Sequence, residues 1–186
     1  MITIAIKKSK PFIEKVVQAK LNGEELKDNI TIGVKVYDED TLKPLRKEYS
    51  EVLGNIRLLR LINQLQALPS RMELSEKEFT SEQNRIQGEL DRLTEEQTKY
   101  QEDFLKEHIL FIKNVTIDKT EDGKISKVVI DTRDVQPFES LWDTPEQALA
   151  VLLELYLKEP AYRDSLIQVV PKLVFGTDFE DKKLGN

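Results

Sequence analysis

An α+β fold is what this sequence predicts, and three observations predict it. Alternating apolar residues open the chain, two long helical stripes fill its middle, and after Ile109 the period turns from helical to extended before a leucine-rich helix near the end. The expected architecture is a small antiparallel β-sheet of hairpins packed by C-terminal helices, with a long antiparallel helical hairpin, a coiled-coil-like arm, in the middle. Residues 1–40 form an N-terminal β-meander, 41–108 the arm, and 109–186 a β-hairpin plus C-terminal helices, with the first and last segments making one body.

The first segment reads as strands. Ile2, Ile4 and Ile6 alternate, Val16 to Leu21 is a second extended run, Asn22-Gly23 is a strong hairpin turn, and Ile30, Ile32, Val34 and Val36 alternate again. Asp38-Glu39-Asp40-Thr41 then offers N-cap residues to a helix beginning near Leu42. Its stripe runs through Leu42, Leu45, Tyr49, Val52, Ile56 and Leu59, then Ile62, Leu65 and Leu68, until Pro69 stops it; Gly54 softens the middle.

Ser75 with Glu78 three residues on fits a capping box, so the next helix starts there and reaches about His108. Phe79, Ile86, Leu93 and Tyr100 recur every seventh residue, and Gln83, Leu90, Gln97 and Phe104 form the companion series. The candidate seam is therefore Phe79, Ile86, Leu90, Leu93, Tyr100 and Phe104, apolar in one series and half glutamine in the other. Glu82, Glu89, Glu96 and Asp103 flank it, each with a base three residues later (Arg85, Arg92, Lys99, Lys106), making a solvated charged face. The heptads suit an intramolecular hairpin and an intermolecular coiled coil equally, so the oligomeric state stays open.

Past Ile109, the runs Ile112 to Ile117 and Ile125 to Ile130 flank a turn at Thr120-Glu121-Asp122-Gly123. Whether this hairpin joins the N-terminal strands in one sheet is left open. A connection around Pro137, Phe138 and Trp142 leads to Thr144-Pro145-Glu146-Gln147, a helix start with proline in first position, and then to a helix apolar on most sides. Lys158-Glu159-Pro160 breaks it. Tyr162 to Phe175 supplies one more helical stretch, interrupted or bent by Pro171, and a polar tail follows from Gly176.

Composition narrows the function. At 186 residues and 39% hydrophobic the chain can bury a core, and its net charge of −6 contains no segment basic enough for nucleic acid. Without cysteine there is neither a disulfide nor a thiolate zinc site, and one histidine supplies little metal chemistry. Met1 to Lys8 reads as neither a signal peptide nor a membrane span. Carboxylates at Asp38, Glu39 and Asp40 and at Asp131 and Asp134 sit where caps and turns want acids, and His108 ends a helix where a cation suits the dipole. No catalytic, cofactor or metal site is expected. The aromatic and leucine side chains Trp142, Leu149, Leu152, Tyr156 and Tyr162 are either core or a surface that receives a partner helix.

Several stretches resemble the tail assembly chaperones of long-tailed bacteriophages. Lys10-Pro11-Phe12 leading through Val16-Val17 to Gly23, then Ile32-Gly33-Val34-Lys35-Val36 and a helix at Thr41-Leu42, is similar to that family's opening. Asp122-Gly123-Lys124, the apolar helix reaching Tyr156, the Pro160-Ala161-Tyr162-Arg163 step and the ending Gly185-Asn186 resemble its C-terminal half. The resemblance covers residues 10–53 and 109–186; the heptad arm stands as an insertion, and Phe111-Ile112-Lys113 occupies the stretch where the family commonly has a tryptophan. It implies a nonenzymatic factor of the host cytoplasm that binds the tape measure protein, with the tail tube protein as a second partner and with self-association, and that is absent from the mature virion. A frameshifted longer product is frequent in such families, and this chain would be the shorter form. Rival readings are a structural tail or baseplate subunit, a dimeric cytosolic adaptor or antitoxin-like regulator, and a hydrolase built on the acidic clusters.

Overall fold

The computed structural model describes residues 12–18, 20–21, 24–25, 29–54, 56–68, 75–121, 124–134 and 142–176. The Ile2-Ile4-Ile6 run, the turns at Asn22-Gly23 and Asp122-Gly123, the connection after Pro69, the Pro137-Phe138 stretch and the tail past Gly176 lie outside the described residues. The fold is α+β and forms two compact units, Met1–Asp38 with Phe104–Asn186, and Glu39–Asp103.

In the first unit, β1 (Phe12–Val17), β4 (Ile30–Lys35), β5 (Ile109–Glu121) and β6 (Lys124–Asp131) make one antiparallel sheet in the order β1-β4-β5-β6, while β2 (Lys20–Leu21) and β3 (Glu24–Glu25) pair separately. The sheet thus joins strands from both ends of the chain through the β4–β5 pairing. The Val16 to Leu21 run is divided, because Val17 ends β1 opposite Ile30 and the chain then enters β2. Ile30, Ile32 and Val34 alternate as expected and are fully buried, whereas Val36 lies past the end of β4 and is exposed; Ile109, Ile112 and Ile130 join the buried set from β5 and β6.

On the opposite face Gly33 lies beneath the Phe111 ring, so close that a Cβ at position 33 would fall 2.1 Å from a ring carbon. Only glycine leaves room for this contact. Arg133 stacks 4.1 Å above the same ring and Phe12 meets it edge-on at 5.1 Å. Two irregularities bend β5. The register passes over Leu110, leaving it exposed, and passes over Asn114, whose φ of 64° is a left-handed conformation that asparagine tolerates. Asn114 Nδ2 donates to Thr31 Oγ1 at 2.9 Å and fixes the bulge to β4.

The covering helices are α4 (Pro145–Lys158) and α5 (Pro160–Phe175). Thr144 caps α4 by accepting from the Gln147 backbone N–H at 3.2 Å, and Gln147 Oε1 accepts in return from the Asp143 N–H at 2.9 Å. Pro171 does not interrupt α5, which is continuous from Pro160 to Phe175. A mid-helix proline costs about 3 kcal/mol, and here Val170, Pro171, Val174 and Phe175 are all buried, so packing offsets the cost.

The second unit holds α1 (Glu39–Leu53), α2 (Ile56–Ala67) and α3 (Glu76–His108) as far as Asp103. The first helix starts at Glu39, ahead of Leu42, with Glu39 and Asp40 as first-turn acids that complement the helix N-terminus. What reads as one stripe to Leu68 is two helices. Gly54 donates to the Ser50 carbonyl at 2.8 Å, and a Cβ there would sit 2.7 Å from that oxygen. Past the break Leu61 and Leu68 are buried with Leu58, Ile62 and Leu65 beside them, while Leu59 faces solvent. The capping box at Ser75 forms as predicted: Ser75 N and Oγ both donate to Glu78 Oε2, at 3.0 and 2.6 Å.

Candidate functional site

Two surfaces are candidates for contact, the heptad seam and the C-terminal aromatic region. Within the second unit the seam is occupied by the chain itself. Ile86, Leu90 and Leu93 of α3 form one buried cluster with Leu61 and Leu68 of α2, and Phe79 packs against its edge. Tyr100 lies 6.0 Å from Tyr49 of α1 by ring centroids and donates its hydroxyl to Glu48 at 3.2 Å. These pairs run in opposite directions along the two segments, so the hairpin is antiparallel.

The glutamines of the companion series have different roles. Gln83 is exposed, whereas Gln97 donates its amide to the carbonyls of Val52 and Leu53, at 2.9 and 3.4 Å. Those carbonyls end α1 and lack an intrahelical partner, so a polar residue in the seam satisfies a helix terminus. Phe104 corrects the seam at its other end: it belongs to the first unit, buried, with Phe175 5.6 Å away. The charged flank also differs from the expected spacing. Glu82 pairs with Arg85 at 2.8 Å, but Arg92 turns to Glu96 and Glu89 bonds Arg57 across from α2.

In the first unit the structure sorts the aromatic candidates. Trp142, Leu152 and Tyr162 are buried core side chains, so of the two readings open for them the core one holds and they do not serve as a docking surface. Leu149 and Tyr156 are half-buried, and Tyr156 meets Tyr162 edge-on at 4.7 Å. With Ala148, Leu152, Leu153 and Leu157 turned inward, the outer side of α4 carries Val151 at 38% and Leu155 at 57% exposure, four residues apart and therefore neighbours on one face. The sequence singles out neither of these two residues, because a helix apolar on most sides hides which of its aliphatic side chains face out. On a different side of α4 a groove of about 450 Å³ is lined by Lys106, Glu146, Leu149, Ala150, Leu153 and Glu154. Lys158 Nζ lies 2.9 Å from Glu154, and its hydrogen bond and charge, with Lys106 adding to them, hold that carboxyl below the ordinary range. The arrangement is an apolar strip with an ionised rim, suited to binding apolar side chains.

Acids in both clusters serve structural roles. Arg133 donates to both oxygens of Asp131, at 2.9 and 2.5 Å, and its hydrogen bonds hold the Asp131 carboxyl below the usual range. Glu39 and Asp40 open α1. Among the described residues no group of three or more His, Cys, Asp or Glu could hold a metal ion, and no helix is long and apolar enough to cross a membrane. His108 is buried rather than a cation at a helix end, and burial pushes its pKa below the ordinary imidazole value. Comparison with protein families, curated proteins and solved structures finds no match to this chain.

Proposed function

We propose that this chain is a tail assembly chaperone of long-tailed bacteriophages, which binds the tape measure protein in the host cytoplasm and keeps it soluble until tail tube subunits polymerise around it. The observation that carries the reading is the outer face of α4, where Val151 and Leu155 stand exposed on a helix whose other side is core. A tape measure protein is long and helical, and its exposed apolar stripes aggregate unless covered. Fully burying a Val or Leu side chain contributes about 1.5–3 kcal/mol. One such face makes a weak contact, and several copies along one partner hold it firmly yet leave each contact easy to strip away. A net charge of −6 keeps such a complex dispersed. The adaptor reading draws its dimer from the heptad seam, and that seam packs on the chain's own α2.

The test is a tagged pull-down from cells expressing the phage tail genes, with mass spectrometry of the eluate and of purified particles. Recovery of a very long helical tail protein, with this chain missing from the particles, supports the proposal. Its presence in the particles makes it a structural subunit, and recovery of a small unrelated protein makes it an adaptor.

A further inference from the structure

The chain has one histidine, His108, and the residue is 1% exposed. His108 ends α3 and Ile109 begins β5, so the ring sits where helix passes directly into strand. It stacks on Phe104 with centroids 3.9 Å apart and planes 17° from parallel, and Tyr37 lies 5.4 Å away. Nδ1 is 2.7 Å from the Phe104 carbonyl oxygen. That oxygen only accepts, so Nδ1 carries the proton and donates it, which leaves Nε2 as the bare lone pair of a neutral imidazole. Nε2 is buried and has no hydrogen-bond partner among the described residues.

Burial is what chiefly opposes a second proton, against the Phe104 carbonyl, whose hydrogen bond favours the cation. Of the charged and titratable groups, Glu107 on the same helix favours the cation, Lys35 at the end of β4 disfavours it, and Tyr37 follows two residues later. From α5 the neighbour is the ring of Phe175, packed on Phe104. A proton on Nε2 would create a buried N–H with no acceptor among the described residues and a charge in an apolar setting, which is costly unless the ring leaves.

We infer that His108 is an acid-sensitive latch in the fold: neutral, it closes the α3–β5 join, and a proton taken up at Nε2 drives it from the core and loosens that join. The sign follows from linkage. The unfolded chain takes up this proton near the ordinary histidine pKa of about 6.5, whereas the folded chain resists it until lower pH. The stability contribution is complete above about pH 6.5 and is lost as pH falls from there towards the folded pKa. Within that window the unfolding constant rises about tenfold per pH unit.

A single histidine makes the experiment clean. In the full-length chain carrying ¹³C,¹⁵N-histidine, one imidazole signal is followed by NMR from neutral pH downwards, and urea unfolding is read in parallel from the fluorescence of the single tryptophan, Trp142. The expected result is a protonated Nδ1, a bare Nε2, a folded titration below that of unfolded histidine, and a steep loss of stability under about pH 6.5 that His108→Phe removes. Titration at or above the ordinary value overturns the inference. If His108→Phe does not fold, the wild-type NMR titration still decides.

Discussion

Leu93 is 5% exposed and lies among Leu61, Leu68, Ile86 and Leu90, so Leu93→Ala removes apolar volume from the middle of the arm's core. The lost transfer energy is about 0.8 kcal/mol for each buried methylene-sized group, or roughly 2 kcal/mol for the truncation. The cavity adds to it, and the measured range for such changes is about 2–5 kcal/mol. The contrast is Glu89, four residues earlier on the same helix, whose partner Arg57 is 63% exposed. A screened pair of that kind contributes about 0–1 kcal/mol, so Glu89→Gln is expected to cost no more than that. Urea unfolding followed by far-UV circular dichroism measures both, and hydrogen exchange of α2 peptides localises the effect. Equal losses in the two variants would refute the seam assignment. So would unchanged α2 exchange in Leu93→Ala, because that leucine would then not be packing on α2.

Three further outcomes follow from single contacts. Gly33→Val forces the Phe111 ring out from between Gly33 and Arg133 and is expected to cost about 1–3 kcal/mol, read from the thermal transition of Trp142 fluorescence; an unchanged melt would show that the ring does not rest there. Gln97→Leu removes the donor to the Val52 carbonyl and is expected to cost about 0.5–1.5 kcal/mol, with faster amide exchange at the end of α1; a more stable variant would mean that carbonyl needs no partner. Thr144→Ala removes the cap of α4 and is expected to cost about 1 kcal/mol in urea unfolding, whereas no change would place the helix start elsewhere.

The local chemistry of the chain is legible in its residues. Ser75 with Glu78 and Thr144 with Gln147 signal helix starts through side-chain hydrogen bonds that depend only on near neighbours, and both starts stand where predicted. The long-range pairing is not legible. Thr31 lies beside Lys113 and Ile32 beside Ile112 across a whole intervening helical segment, and periodicity within each strand carries no address for its partner. Gly54 stands out in the sequence as a soft point, but only its close approach to the Ser50 carbonyl shows that it separates two helices. At the candidate site the limit is the uniform hydrophobicity of α4. Its leucines satisfy the core and the surface alike, so burial alone sorts Leu152 inward and Leu155 outward.

The most direct measurement co-expresses the tape measure protein with wild type, Leu155→Asp or Leu152→Asp and determines how much of it stays soluble. Leu155 is exposed and Leu152 buried, so Leu155→Asp is expected to keep the wild-type melting temperature while Leu152→Asp loses it. The predicted result is a soluble tape measure protein with wild type and an aggregated one with the folded Leu155→Asp protein. Equal solubility with and without the wild-type chain would contradict the proposed chaperone function, and full activity of Leu155→Asp would contradict the α4 face as its proposed site.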